Sequence, residues 1–337
     1  MVESKPKVVI TGISGFLGSQ VTAYFLRDGG FAVRGTVRDT KNEKKLAPLR
    51  RAFGEDFARI ELVEADLLKP ESLDQAIAGC QFVVHTASPF PIEKPKDESV
   101  LVRPAVEGTL AVMRAAHKHG VKRVVVTSSV AAVMCQKPEN AKEVYDESDW
   151  SDTTVTGPYE KSKTLAERAA WDFVHGLPEA ERFELVTINP VLIMGPSLVD
   201  GDFSSGQIIK KLMDATYPGM PKITMPVVDV RDCAQAHLQA VKVPEARNSR
   251  FILSAETLWF KEYAQVLKEK YPKNKIKAGE LGYCPVKVAS WFDPSVKLIL
   301  PFWGKSLQLN NSHSKNVLGI EYHDGRESIL AMAESMV

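Results

Sequence analysis

Thr11-Gly12-Ile13-Ser14-Gly15-Phe16-Leu17-Gly18 is the stretch that decides the fold of this 337-residue chain. A short β-branched run, Lys7–Thr11 (KVVIT), leads into it. Helical spacing follows over Ser14–Arg27, and a second strand-like run spans Phe31–Val37. The glycines fall in a G-x-x-G-x-x-G spacing, one residue off the common G-x-G-x-x-G fingerprint. In that setting the three serve different ends: a tight strand-to-helix turn, close backbone approach to a pyrophosphate, and tight packing of helix on sheet. The helix start adds unpaired N–H groups and the positive end of its dipole. Gly12, Gly15, Phe16, Leu17 and Gly18 are therefore the candidate phosphate contacts of a dinucleotide site.

Outward from this turn, strand-like runs at Ile60–Val63, Phe82–His85, Arg123–Thr127 and Leu185–Asn189 alternate with helical stretches. The helices fall near Glu71–Ala78, Ser99–His119 and Tyr159–Val174. Such alternation predicts an α/β fold, a Rossmann-type doubly wound parallel sheet with helices on both faces. Beyond Gly195 the pattern loosens into a Gly/Ser/Asp-rich loop, Gly195–Gly206. Helical pieces follow at Gln207–Ala215, Val230–Val241 and Phe260–Lys270. The expected division is a cofactor domain over residues 1–194, with 222–255 returning to it. Residues 195–221 and 256–337 would form a smaller, mostly helical substrate domain. Trp291, Phe292, Phe302 and Trp303 are expected to be core of that smaller domain.

Net charge is +1, so no global field favours nucleic acid or a membrane surface. No apolar run reaches membrane-spanning length, and the charged N-terminus does not read as a signal peptide. Cys80, Cys135, Cys233 and Cys284 are widely spaced, which reads as reduced thiols of a cytoplasmic protein, without zinc or disulfides. The histidines show no metal spacing. His117 and His119 point apart on their helix and read as surface or helix-end residues.

The second strand ends Thr36-Val37-Arg38-Asp39. About twenty residues beyond the glycine turn, an NAD site places an acid on the ribose 2′-hydroxyl. Arg38 stands there instead, and Lys44 and Lys45 add charge, which favours the 2′-phosphate of NADPH/NADP⁺ over a merely solvated basic loop. Asp39 keeps NADH open. Asp66, at the third strand end, reads as either an adenine contact or a helix N-cap ahead of Pro70. The small residues Thr86, Ala87 and Ser88 after the fourth strand let backbone approach the cofactor.

The fifth strand ends Thr127-Ser128-Ser129. Thirty residues later come Tyr159 and Lys163, four apart and so on one helix face. Carbonyl reduction needs a proton as hydride arrives, and a free phenol has a pKa of about 10. A cation one turn away would lower that value, and Ser129 would hydrogen-bond the substrate oxygen. Tyr271 and Lys275 repeat the spacing, but Pro272 breaks that helix.

These stretches together resemble the extended short-chain dehydrogenases/reductases, and more narrowly their dihydroflavonol 4-reductase-like group. That group includes plant dihydroflavonol and cinnamoyl-CoA reductases and fungal methylglyoxal/aldehyde reductases. The likeness lies in TGISGFLG (Thr11–Gly18), VRGTVRDTKNEKK (Val33–Lys45), EADL (Glu64–Leu67), HTASP (His85–Pro89), VVVTSS (Val124–Ser129), YDESDWSD (Tyr145–Asp152), YEKSKTLAERAAW (Tyr159–Trp171) and INPVLIMGP (Ile188–Pro196). The resemblance implies Ser129, Tyr159 and Lys163 as catalytic triad, and Arg38 and Lys45 on the 2′-phosphate. It also implies Asp66 and Leu67 beside adenine, Pro190 and Ile193 at the nicotinamide carboxamide, and Ser205 on a phosphate or ribose oxygen. Thr127 joins the cofactor set at its strand end.

Two departures bear on substrate. The plant dihydroflavonol reductases carry an asparagine five residues after the catalytic serine; here it is Met134. The cinnamoyl-CoA reductase signature N-W-Y-C-Y-G-K is replaced by Thr156–Lys163 (TGPYEKSK). The fungal-type reductases fit better. Phe90-Pro91-Ile92, Met134 and Asp202–Gly206 are the expected substrate walls, with plain core packing an equal alternative for Phe90 and Met134. The leading expectation is an NADPH-dependent reductase of a small aldehyde or ketone, monomeric or homodimeric. The alternatives are a nucleotide-sugar epimerase or dehydratase, and a silent NADP-sensing protein.

Overall fold

The computed structural model describes residues 5–88, 98–201, 203–292, 296 and 299–336. Strands β1 (Lys7–Thr11), β2 (Ala32–Val37), β3 (Ile60–Glu64), β4 (Phe82–His85) and β5 (Arg123–Thr127) arise in the first half. Helices α1 (Phe16–Asp28), α2 (Glu43–Phe53), α3 (Pro70–Ile77) and α4 (Ser99–Lys118) connect them. The short strand β6 (Val144–Tyr145), helix α5 (Pro158–Gly176) and strand β7 (Glu184–Pro190) follow. After them come β8 (Leu192–Met194), α6 (Ser204–Met213), β9 (Thr224–Asp229), α7 (Val230–Lys242), β10 (Ser249–Leu253) and β11 (Glu256–Trp259). The chain ends with α8 (Phe260–Lys270), α9 (Tyr283–Ala289), β12 (Gln308–Leu309), α10 (Ser312–Leu318) and α11 (Gly325–Glu334).

Seven strands form one parallel sheet in the order β3-β2-β1-β4-β5-β7-β10. This is the doubly wound sheet the alternation predicted. The strands read as β-branched runs because both faces are covered. Along β1, Val8 and Ile10 join Phe25 and Leu238 in one buried cluster. Val9 joins Leu73, Val112 and Leu185 in the opposite one. Helices α1 and α7 pack together, as do α3, α4 and α5. Strand order reverses between β1 and β4, so their carboxyl ends diverge and leave a crevice there.

Two arginines sit inside this layer, each paired with a glutamate (Arg34 with Glu61, Arg123 with Glu184) and each donating to helix carbonyls. Arg34 of β2 donates to Ala76 O and Ala78 O at the end of α3. Arg123 of β5 donates to Ala240 O and Val243 O at the end of α7. Both offset the negative end of a helix dipole.

A smaller lobe is built on the sheet β8-β9-β11, with α6, α8 and α11 against it. Its core holds Phe16, Ile209, Leu212, Tyr263, Leu267, Ile329 and Met332. Within residues 222–255, β9 lies in this smaller sheet, α7 packs on α1, and β10 closes the edge of the large sheet. The C-terminal aromatics differ from expectation. Trp291 is 73 % exposed, Phe292 83 % and Phe302 42 %, while Trp303 is half-buried with its ring 5.5 Å from that of Tyr283. The reason is local: α9 buries only Val286, too little to bring the following aromatics into a core already filled from α6, α8 and α11.

Candidate active site

The glycine turn closes as its spacing requires. Gly12 has φ +74°, and its carbonyl accepts the Gly15 N–H at 3.0 Å. A Cβ on Gly18 would stand 2.2 Å from that carbonyl oxygen and 2.9 Å from Thr86 Oγ1, so no side chain fits. Gly15 is the N-cap of α1 with no side-chain cap of its own. The helix therefore presents its first N–H groups, those of Phe16 and Leu17, without an intrahelical partner. The Phe16 side chain turns away and packs on Phe203 with ring centroids 5.1 Å apart. What Phe16 offers the crevice is its main chain.

A cleft of about 770 Å³ opens at this turn, large enough for a dinucleotide portion. Its walls combine Gly12 and Gly15, the β2 end at Arg38, Lys45 of α2, Asp66 and Leu67 after β3, and Thr86 to Ser88 after β4. Arg38 and Lys45 are both exposed there. Lys45 lies in the first turn of α2, which Asn42 caps by accepting the Lys45 N–H at 3.2 Å. Lys44 and Lys45 thus lie on a helix, while Arg38 stands in the loop before it. Asp39 Oδ1 accepts the Lys41 N–H at 2.8 Å, which engages the acid in its own turn. Asp66 does not cap α3, whose N-cap is Lys69. Its Oδ1 instead accepts the Leu68 N–H at 3.0 Å. A Cβ on Gly108 of α4 would meet Leu67 at 3.3 Å, so the absent side chain there seats Leu67 closely.

Thr86 Oγ1 donates to Thr11 O at 2.6 Å, and the Thr11 hydroxyl accepts the Ala87 N–H at 3.1 Å. That hydroxyl also meets His85 Nδ1 at 2.8 Å. The imidazole is held neutral, its pKa pushed down to about 4 by burial and then by Lys163. Thr127 Oγ1 lies 2.7 Å from His237 Nε2, while His237 Nδ1 contacts Cys233 O at 2.7 Å. Since the carbonyl only accepts, Nδ1 carries the proton and Thr127 donates to Nε2. His237 too is pushed down to about 4, with burial the cause and the Cys233 hydrogen bond opposing it. The Thr127 hydroxyl is thus spent on α7, and what Thr127 adds to the site is position.

Tyr159 and Lys163 project from one face of α5, and Ser129 follows β5. Ser129 Oγ accepts the Ala131 N–H at 3.2 Å and hydrogen-bonds Tyr159, the contact that holds the phenol's pKa down against burial. Burial is nonetheless the larger effect and raises the phenol above its ordinary value, with Glu160 adding to the rise. The lowering expected of a nearby cation does not outweigh that burial. Burial pushes Lys163 down to about 8, with Glu167 opposing. Lys163 Nζ donates to Ser88 Oγ at 3.2 Å.

Beside Lys163 is a small cavity of about 20 Å³, room for one water. Its polar wall includes His85, Thr127, Ser128 and Glu167. Glu167, fully buried one turn beyond Lys163, was missed in the sequence, as was Asn189 at the end of β7. In the sequence, only the four-residue step from Lys163 marks Glu167.

Pro190 ends β7 buried, Ile193 of β8 is half-buried between the lobes' cores, and Ser205 lies buried in the first turn of α6. Among the described residues the large cleft does not include these three. Met134 is half-buried against the main core. Phe90, Pro91, Ile92 and Asp202 lie outside the described residues. Tyr271 ends α8 and Lys275 lies beyond it, so the second Tyr–Lys pair shares no helix. His117 and His119 face Glu181 and Asp74 at the surface. Among the described residues no cluster of His, Cys, Asp or Glu is placed to hold a metal.

Residues 8–253 match the model of the NAD dependent epimerase/dehydratase family. The chain belongs to that family. Within it, the chain is 39 % identical to tetraketide alpha-pyrone reductase 1 of Arabidopsis thaliana over 280 residues, 81 % of this chain and 83 % of that protein. It is 34 % identical to the cinnamoyl-CoA reductase CAD2 of Medicago truncatula over 335 residues, 98 % of this chain and 95 % of that protein. The fold superposes on yeast methylglyoxal/isovaleraldehyde reductase Gre2 complexed with NADPH with a TM-score of 0.81. That match has 27 % identity and covers 98 % of each chain. The resemblance to extended, dihydroflavonol reductase-like enzymes is borne out, and this family member is an NAD(P)-dependent oxidoreductase.

Proposed function

We propose that the chain is an NADPH-dependent carbonyl reductase that converts an aldehyde or ketone to the alcohol. The observation that carries this reading is the Ser129–Tyr159 hydrogen bond, with Lys163 one turn on and bonded to Ser88 at the cleft wall. The cleft fits the cofactor: a cradle that a Cβ on Gly18 would fill, a helix N-terminus, and two exposed cations at its far end. In this reading Gly12, Gly15 and the N–H groups of Phe16 and Leu17 hold the pyrophosphate. Arg38 and Lys45 hold the 2′-phosphate, and Asp66 and Leu67 flank the adenine. Pro190, Ile193 and Ser205 approach the nicotinamide end.

When bound, the dihydronicotinamide supplies hydride to the carbonyl carbon. Ser129 donates a hydrogen bond to the carbonyl oxygen and fixes its place. Tyr159 delivers its phenolic proton to that oxygen as negative charge builds, so the alcohol leaves neutral. The raised pKa of Tyr159 keeps the phenol protonated at neutral pH, the form that reduction needs. Lys163 stabilises the phenolate left behind and holds ribose hydroxyls. Met134 is assigned to the substrate side as an apolar wall.

Arg38 and Lys45 in the cleft weigh against an NAD-retaining epimerase. An intact Ser129, Tyr159 and Lys163 set weighs against a silent cofactor sensor. Among the described residues no helix is long and apolar enough to cross a membrane. A cytoplasmic site of action, as monomer or homodimer, completes the reading. The test is consumption of NADPH with a panel of aldehydes, diketones and aryl ketones, by wild type and by Tyr159→Phe. Steady oxidation by wild type, lost at least about a hundredfold in the variant while NADPH still binds, supports it. Near-normal turnover by Tyr159→Phe removes Tyr159 from the mechanism.

A further inference from the structure

Glu167 is the most heavily engaged buried acid near this site. It lies on α5, eight residues after Tyr159 and four after Lys163, and its side chain is fully buried. Four side chains from three different strands donate to it. Ser128 Oγ, from the β5 end, donates to Oε2, and Asn189 Nδ2, from β7, donates to the same oxygen at 2.7 Å. Thr187 Oγ1, also of β7, and Arg250 Nε of β10 donate to Oε1 at 2.9 and 2.7 Å. Arg250 is held in turn by the carbonyls of Glu147 and Asp149, and its guanidinium lies 3.9 Å over the Trp150 ring. Asn189 Nδ2 also donates to Ser129 O at 3.2 Å.

One carboxylate therefore joins the helix that carries Tyr159 and Lys163 to the strand end that carries Ser129. We infer that Glu167 is a positioning residue of this active site, fixing Ser129 relative to Tyr159 and supplying negative charge that faces Lys163. The inference rests on the assignment of Tyr159 and Lys163 as the reacting pair.

A purely structural ion pair would account for Arg250 but not for the rest of the arrangement. Glu167 and Lys163 share the wall of the small cavity beside the lysine. Among the described residues, the groups that face Lys163 from the packed elements are Tyr159 and Glu167 on α5, His85 from β4, and Ser88 after it. Burial holds His85 and Tyr159 in their neutral forms at neutral pH. Arg250 reaches the site through Glu167. The charge that supports the Lys163 ammonium against burial is thus that of Glu167, and this is the direction in which it acts. With that charge removed, burial acts unopposed, and the lysine loses its proton at lower pH.

The experiment compares full-length wild type with Glu167→Gln, Glu167→Asp and Tyr159→Phe. It measures NADPH binding by fluorescence titration, kcat and KM for a turned-over aldehyde, and the pH profile of kcat. Glu167→Gln is expected to bind NADPH within about twofold of wild type and to lose about tenfold or more in kcat with little change in KM. The alkaline limb of its profile is expected to move to lower pH by about one unit. Glu167→Asp, which keeps the charge and shortens the reach, is expected to lower kcat but leave the limb in place.

Should Glu167→Gln fail to fold, the double variant Glu167→Gln/Arg250→Gln, which leaves no unpaired buried charge, is measured instead and is expected to show the same displaced limb. A folded variant with wild-type kcat and an unmoved limb overturns the inference, as does a loss that tracks only the folded fraction. If Tyr159→Phe turns over normally, the underlying assignment has failed instead, and the two failures are told apart.

Discussion

Lys163 Nζ donates to Ser88 Oγ at 3.2 Å, which joins the helix bearing Tyr159 to the strand end that walls the cofactor cleft. The same lysine is pushed down to about 8 by burial, with Glu167 opposing. Tyr159 is raised, so on the alkaline side the lysine is the first of the pair to lose its proton. Reduction is therefore expected to fall as pH rises through about 8, where the ammonium that supports the phenolate is lost. Measured kcat against pH, with NADPH and aldehyde saturating, checks this. A rate that stays flat to pH 10 (about the ordinary phenol range) would show that the Lys163 charge is not needed.

Two buried histidines set an acid limit on stability rather than on rate. His85 and His237 are each pushed from 6.5 down to about 4, and both are neutral and hydrogen-bonded in the fold. Between those values the unfolded chain binds more protons than the folded one, so stability rises with pH. It is fully present above about 6.5 and is lost as pH falls toward 4. The shifts correspond to about 3 kcal/mol for each histidine at most. Thermal melts at intervals from neutral pH to pH 4 should show a falling Tm. Replacing His237 with Gln, which keeps an acceptor for Thr127 without a titrating ring, should flatten that slope. An equally steep slope in the variant would exclude His237 as its source.

Arg38 and Lys45 stand together at the far wall of the cleft, while Asp39 is engaged by the Lys41 N–H. This placement predicts cofactor selectivity through charge-assisted contacts to a 2′-phosphate. Arg38→Ala is expected to weaken NADPH binding by about 2 kcal/mol, some thirtyfold, with little effect on NADH. Lys45→Ala should have a smaller effect, as its exposed ammonium is a more strongly hydrated point charge. Paired titrations with both cofactors read the ratio. An unchanged preference in Arg38→Ala would show that the 2′-phosphate is bound elsewhere.

Six strands of the central sheet were legible in the sequence because buried strands read as β-branched runs, as in Arg123–Thr127; the seventh, β10, was not, since SRFIL opens on two polar residues. β9 was not: Pro226 sits inside TMPVVD, and the strand belongs to the small sheet at β8 and β11. α2 was obscured by its charge. Its first turn is polar, and only Leu46, Leu49 and Phe53 face the core. In the site, the glycine turn, Tyr159 and Lys163 were visible as spacings along one element. Glu167, Asn189 and His237 were not, since their meaning lies in partners from other elements, which periodicity does not report. Trp291 and Phe292 failed in the opposite direction: apolar character alone does not bury a residue when its helix buries so little.

The glycine turn makes its own prediction, because two of its glycines are required for different reasons. At Gly18 an added Cβ meets backbone, the Gly12 carbonyl oxygen at 2.2 Å, and Thr86 Oγ1 at 2.9 Å; neither is the far end of a flexible side chain. Gly18→Ala must therefore push α1 off the β1–β4 junction, with an expected cost of about 2–3 kcal/mol in stability as well as weakened cofactor binding. At Gly15 the backbone is extended, φ −86° and ψ 165°, and a Cβ meets only the Gly12 oxygen at 3.3 Å. Alanine is conformationally acceptable there and costs about 1 kcal/mol or less as an N-cap, but its methyl stands where a pyrophosphate must approach the helix start. Gly15→Ala is thus expected to melt only slightly below wild type yet lose NADPH affinity about tenfold or more. Denaturation curves and NADPH titrations on the two variants separate the roles. If Gly15→Ala binds NADPH normally, the phosphates do not lie on the N-terminus of α1, and the cofactor assignment fails at its first contact.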